Sequence, residues 1–500
     1  MPSRPANWVC MAIMLAALWA LAACAGPMKQ QRLKPSEVPH PEIEQIVGLT
    51  TVTGENVLFD PAGGAYIDKS IRGKVKGADY RIPMAEVERV WVMRRGISAA
   101  RTTALVVGVA AATLVTVAAI ELINNPPTGC PIVYAWDGSQ FVFNAELYGG
   151  AISRGLERPD YSELPSLRAE RGAYRILLAN EMEETDYTDS LELWTVDHPA
   201  RSTVGADSDG QLYLMADPRP PLQARDENGR DLLPWLQASD RRVWEPPPAT
   251  LPDGRLRHEI VLDFARPSDA QTARLLVRAG TSPWGIRMLS TIFELYGTAI
   301  DARMAELDRD PVQAQAVRDW GMREDLYTLK IWVEEPSGWQ VKGVLAGGGT
   351  TPRVVPLDLS EVCGDRLRVR LQPPAGFWAI DSFAVDYTPP QPVPVTRSAP
   401  VSARTQAGRS VVRELRRTDS VYYQAERGES AEIVFPAPPE KPGMARTLIL
   451  ASRGYYRPTP RSNGTADAAA LFQIFMVPDG MARFAAQQYA AWRAAAGATN

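Results

Sequence analysis

Apolar and polar positions alternate in short runs over much of this chain, the period-two signature of strands with one buried face. Near the N-terminus such runs occupy 46–52, 57–60, 65–69, 71–75, 80–82 and 87–93. Thr53-Gly54-Glu55-Asn56 and Lys76-Gly77-Ala78-Asp79 supply turns between them. Short strands this closely spaced predict a small β-roll or barrel over 44–98.

The same alternation returns twice further along. Pro221 to Trp244 lies on Pro400 to Tyr423 without a gap, matching Ala224-Arg225, Gly229-Arg230, Leu236, Asp240 and Trp244 with Ala403-Arg404, Gly408-Arg409, Leu415, Asp419 and Tyr423. Upstream, 133–143 resembles 331–341, 174–178 resembles 367–371, and Val196-Asp197-His198 resembles Val385-Asp386-Tyr387. Downstream, 260–264 pairs with 432–435 and 273–280 with 445–452. Two tandem copies of one antiparallel β-sandwich are expected, at 128–285 and 327–457.

A helical period follows each copy, at 286–326 and 458–500. Ile292, Leu295, Ala299, Ile300, Met304 and Leu307 keep one face, and Asp310-Pro311 reads as an N-cap with proline in the first turn of a second helix. Leu471 to Met476, then Met481, Phe484, Ala485 and Trp492, repeat the pattern, and both segments are expected to pack on their own sandwich. The fold class is therefore mainly β with helical additions.

Two apolar runs break the alternation. The first, from Trp8 to Leu21 after Arg4, ends in Leu21-Ala22-Ala23-Cys24 and reads as a signal peptide over 1–24, with an uncleaved anchor as the alternative. Cysteine after small residues resembles the lipobox of bacterial lipoproteins, which implies acylation of Cys24 and attachment to membrane lipid without a protein span. Ala25 in the following position leans, by the same resemblance, towards the outer membrane. Four prolines within 25–43 suit an extended tether. The second run, Thr102 to Ile120 within 99–125, carries no charge and fits a span, a membrane-surface or self-associating helix, or a buried helix. A span would carry everything after Glu121 across the membrane, with Arg94, Arg95 and Arg101 on the side that the positive-inside tendency disfavours.

Composition narrows the functional classes. A net charge of −4 argues against a nucleic-acid partner. With Cys10 removed and Cys24 acylated, Cys130 and Cys363 could pair in an oxidising envelope or stay as buried thiols. No G-x-S-x-G, H-E-x-x-H or metal-spaced cysteine pair is present. His198 beside Asp197 is a poor acid–base pair, because adjacent strand residues face opposite sides and the second copy has Tyr387 there. Gly347-Gly348-Gly349-Thr350 lacks the lysine of a phosphate loop and reads as a turn.

Two chemical candidates remain. Glu181, Glu183, Glu184, Asp186 and Asp189 form an acidic segment with the hard oxygen donors that calcium requires, and the second copy lacks it; a solvated acidic loop is the alternative. Trp136, Tyr148, Tyr161 and Trp235 could stack on sugars, or serve as core. Tyr187 is a further aromatic of that kind, whereas Trp194 alternates with Leu191 and Leu193 as a buried residue would.

The segment Cys130-Pro131-Ile132-Val133-Tyr134-Ala135-Trp136-Asp137-Gly138, with Gly149-Gly150-Ala151 and Asn180-Glu181, resembles a family of uncharacterised bacterial envelope lipoproteins. The resemblance implies an envelope location and no activity. The expected role is a non-catalytic binding or scaffolding lipoprotein with an envelope protein or polysaccharide partner. A glycan-binding or glycan-processing protein is the alternative, followed by a hydrolase using acidic residues.

Overall fold

The computed structural model describes residues 28–35, 38, 46–53, 56–60, 64–95, 131–240, 242–349, 351–459 and 464–497. It divides into two compact units, up to Thr113 and from Leu114 onward. Cys24, Thr102 to Ile120 and Cys130 lie outside the described residues. No helix among the described residues is long and apolar enough to cross a membrane.

The first unit is one antiparallel sheet of β1 (Met28–Leu33), β2 (Ile46–Thr51), β3 (Asn56–Leu58), β4 (Gly64–Ile67), β5 (Ser70–Val75), β6 (Ala78–Pro83) and β7 (Val87–Arg95). Its order is β1-β7-β2-β4-β5-β6, with β3 added on β2, around a core of Ile46, Leu49, Ile71, Val90 and Val92. Gly48 is required where β2 meets Trp91, because a Cβ there would stand 2.6 Å from the indole. All six expected strands form. Part of the expected tether is a seventh: β1 pairs with β7 through its main chain, which needs no apolar alternation to reveal it.

The second unit is mainly β with helical additions, as the periodicity predicts. Its first copy contributes β8 (Ile132–Trp136), β9 (Phe141–Glu146), β10 (Arg158–Glu163), β11 (Ala173–Ala179), β12 (Glu184–Pro199), β15 (Gln223–Asp226), β16 (Ile260–Ala265) and β17 (Thr272–Thr281). The hairpin β13 (Thr203–Ala206) and β14 (Leu212–Met215) and the short α1 (Leu233–Leu236) are also within it. The second copy contributes β18 (Thr328–Glu335), β19 (Gly338–Ala346), β20 (Pro352–Asp358), β21 (Arg366–Leu371), β22 (Trp378–Asp386), β23 (Thr396–Ser398), β24 (Ser402–Thr405), β25 (Tyr423–Ala425), β26 (Ser430–Pro436) and β27 (Met444–Pro458).

The copies follow one another in the chain but are not separate in space. The outer sandwich faces sheet β24-β26-β11-β8-β9 against β10-β27-β12-β23, with β25 also on β12; the inner one faces β15-β16-β21-β18-β19 against β20-β17-β22. The outer sandwich thus takes the first five strands of the first copy and the last five of the second, and the inner one takes the first five of the second copy and the last three of the first. Corresponding strands hold corresponding places: Tyr174 stands opposite Phe435, and Leu367 opposite Phe264. The outer core joins Val133, Ile176 and Leu193 of the first copy to Ile433, Phe435 and Leu450 of the second. The inner core joins Leu262, Phe264 and Leu275 to Leu329, Val369 and Phe383. The inner sandwich is inserted in the outer, entered and left through 200–222 and 387–395.

Helices α2 (Pro283–Tyr296), α3 (Ile300–Arg309) and α4 (Pro311–Glu324) connect β17 to β18, and α5 (Ala468–Met476) and α6 (Gly480–Gly497) follow β27. Ser282 caps α2 by accepting from the Gly285 amide at 2.9 Å, and Asp310 caps α4 by accepting from Val312 at 2.8 Å, with Pro311 in the first turn as expected. The single face read from Ile292 to Leu307 is broken at Gly297, whose φ of 52° ends α2. Contrary to expectation, α5 and α6 do not stay with the sandwich that precedes them. Ile474, Met481 and Ala485 enter the inner core, the Trp320 indole donates to the Ile474 carbonyl at 3.1 Å, and Arg257 binds Asp479 and Asp325 at 2.6 and 2.8 Å.

Two outcomes follow from the exchange. A protease site inserted at the α3–α4 corner beside Arg309 severs the copies, yet the cut protein elutes as one particle in native size exclusion; release of two folded pieces would contradict the shared sheets. Phe435→Ala and Phe264→Ala, at equivalent fully buried positions, each lower stability by about 3–5 kcal/mol in chemical denaturation.

Candidate functional site

The acidic segment does not converge. Glu181 accepts from the Tyr134 hydroxyl at 2.7 Å, Glu183 pairs with Arg427, and Asp189 accepts from the Asp419 and Ser420 amides at 3.2 and 2.8 Å. Glu184 and Asp186 remain, side by side on β12, where alternate residues share a face. No group of three or more acidic, histidine or cysteine residues among those described is arranged to hold a metal ion. Extended backbone is the reason: a strand spreads its carboxylates along its length, whereas a calcium loop folds them around one point. Burial, and then the neighbouring Glu184, push the Asp186 carboxyl well above the usual carboxylate range. Asp189 is raised by burial despite its two amide donors.

The aromatic candidates are equally dispersed. Trp136 lies under the Arg175 guanidinium, 4.7 Å from its ring, and against Phe141. Tyr148 is fully buried, its hydroxyl 2.6 Å from that of Thr188. Tyr161 packs on Trp194, which is itself buried as expected, and Trp235 packs beneath Arg230 in the other sandwich. These rings spend their faces on protein neighbours and form no common platform. Tyr187 stacks on Tyr455 at 4.5 Å. His198 is buried between Pro199, Ser202 and Thr447, and His258 contacts Glu227 at 3.0 Å. Gly347 to Gly349 form a turn between β19 and β20, and Cys363 is an exposed free thiol.

What the fold does assemble is an apolar cavity of about 390 Å³, where α2, α3 and α4 meet the β9–β10 connection of the outer sandwich. Ile292, Phe293, Tyr296, Ile300, Met304 and Leu307 form its helical wall. Trp320 and Phe475 close the floor, with ring centroids 4.6 Å apart. Gly149 and Gly150 line the cavity from the β9–β10 connection, in a turn where Tyr148 has φ 42° and Gly150 φ 84°. Gly150 admits the Tyr327 ring, which a Cβ would meet at 2.9 Å. The connection is clamped to the helices: the Gly155 amide donates to Asp308 at 3.2 Å, and Arg318 donates to the Gly155 carbonyl at 3.0 Å.

The charged groups on this lining are Arg158, Arg303, Arg318, Glu157 and Asp209, with Ser208, Thr328 and the Tyr296 and Tyr327 hydroxyls as further polar groups. Arg303 binds Glu306 and Gln313 at 2.6 and 2.9 Å, tying α3 to α4. Burial holds the Tyr296 hydroxyl above its ordinary range, although nearby Arg303 opposes the shift. The arrangement lacks a nucleophile paired with a base and suits apolar contact bounded by charge. Sequence periodicity does mark Ile292, Ile300, Met304 and Leu307, but as core; the Gly149-Gly150 wall comes from a distant segment.

No family model matches the chain, and no curated protein matches it. Among solved structures it is similar to the arabinofuranosyltransferase AftD from Mycobacteria, determined by single-particle cryo-EM, at 11% identity and a TM-score of 0.16. The alignment covers 85% of this chain and 31% of that one, so this chain spans less than a third of that protein's length. A likeness this low carries no argument about fold or function.

The buried Asp186 gives a pH test. The folded state keeps its proton where the unfolded chain has lost it, so stability declines as pH rises above the ordinary carboxylate range. Asp186→Asn removes that decline. Its melting temperature exceeds that of the unmodified protein by a margin that widens from about pH 4 upward. A pH-independent margin would mean that Asp186 ionises as freely in the fold as in the unfolded chain.

Proposed function

We infer that this chain is a non-catalytic binding protein of the bacterial cell envelope, held to membrane lipid through acylated Cys24, which takes an apolar ligand into the cavity beside Met304. The observation that carries the binding reading is the cavity itself: about 390 Å³ lined mainly by aliphatic and aromatic side chains. That volume falls within the range of about 300–1,000 Å³ typical of small-molecule sites. Its walls are rigid elements, since α2 and α4 carry caps and the β9–β10 connection is fixed at Gly155. The envelope location rests on the Leu21-Ala22-Ala23-Cys24 run and the resemblance drawn from it, with the outer membrane favoured by Ala25.

A neutral hydrophobic dye such as N-phenyl-1-naphthylamine tests the reading. It binds saturably with enhanced fluorescence, and Met304→Trp, which fills the cavity, lowers its affinity more than about tenfold while the melting temperature stays within a few degrees. Absence of saturable binding, or binding indifferent to Met304→Trp, would overturn it.

A further inference from the structure

We propose that the cavity selects a single-chain amphiphile with an anionic head, the chain among Ile292, Ile300, Met304 and Leu307 and the head at Arg303 and Arg318. The proposal rests on the binding reading above and adds the ligand's class. Two observations carry it, size and charge. Counting a methylene as roughly a water's 30 Å³ share, a cavity of 390 Å³ accommodates about a dozen such groups, the content of one medium-length chain. The lining holds three arginines against two acids, and those acids are poor partners for a ligand in the cavity. Glu157 is already engaged by Arg453 at 2.9 Å and by the Tyr422 hydroxyl at 3.0 Å. Asp209 is exposed on the β13–β14 turn.

The arginines differ in what they have left to offer. Arg158 is turned to the Gly149 carbonyl and to Asp160, 3.4 Å away. Arg303 spends Nη1 on Glu306 and Gln313 and also hydrogen-bonds the Tyr296 side chain. Exposed Arg318 binds the Gly155 carbonyl and Gln315, and no ion pair holds it among the described residues. A carboxylate or phosphate head at the end of an apolar chain would gain charge-assisted hydrogen bonds there, whereas a cationic head would meet uncompensated positive charge.

Displacement of the bound dye from the full chain by dodecanoate, dodecyl phosphate and dodecyltrimethylammonium decides it. Dodecanoate or dodecyl phosphate displaces at least about tenfold more tightly than the cation, and Arg318→Gln or Arg303→Gln reduces that ratio about threefold or more. Arg303→Lys, which keeps the charge, restores most of it. Arg201→Gln, which removes the same charge from an exposed turn, leaves it unchanged. A stronger response to the phosphate than to the carboxylate assigns a phospholipid-type head; the reverse assigns a fatty acid. Equal displacement by anion and cation with the dye still bound overturns this proposal and leaves the binding reading standing. Failure of the dye itself to bind overturns both.

Discussion

The antiparallel pairing of β12 with β27 is the contact on which the larger unit depends. Both are long strands, they run together from Glu184 to Pro199, and one belongs to each copy of the repeat. Once they pair, the last five strands of the second copy are committed to the outer sandwich, so its first five must find partners in β15, β16 and β17. The inner sandwich is the only closure left, inserted between the halves of the outer one. A charged pair marks the end of this ladder: Arg446 holds Asp197 at 2.7 Å with both side chains largely buried, and the Asp197 carboxyl is kept below its usual range chiefly by that hydrogen bond.

The exchange also builds the cavity. Its helical wall is the connection between the two copies, and its opposite wall comes from the first copy's half of the outer sandwich. Phe475 arrives from beyond the last strand, because α5 and α6 cross back to the inner core and are held there by Arg257 through Asp479. In two independent tandem sandwiches these three segments would have no reason to meet. The cavity is thus a product of topology more than of any one motif.

Several local features were legible because they depend on neighbours in sequence. Asp310-Pro311 caps a helix, and Trp194 is buried where its alternation with Leu191 and Leu193 placed it. The acidic and aromatic candidates were misleading for one shared reason. Proximity along the chain is not convergence, so Glu181, Glu183 and Asp189 acquire separate partners while Asp186 lies buried beside Glu184, and Trp136 and Trp235 end in different sandwiches.

By itself, the sequence determined the class of fold, the strands of the first unit apart from β1, and the correspondence between the two copies, because periodicity and turn chemistry are local. It could not determine which halves pair. Tyr174 would meet a phenylalanine in either arrangement, Phe435 as observed or Phe264 within its own copy, and the apolar pattern of equivalent strands is the same in both. Only the tertiary structure decides, through the helices that connect the copies and return to close the inner core, and that choice creates the apolar space which the linear pattern records merely as one more buried face.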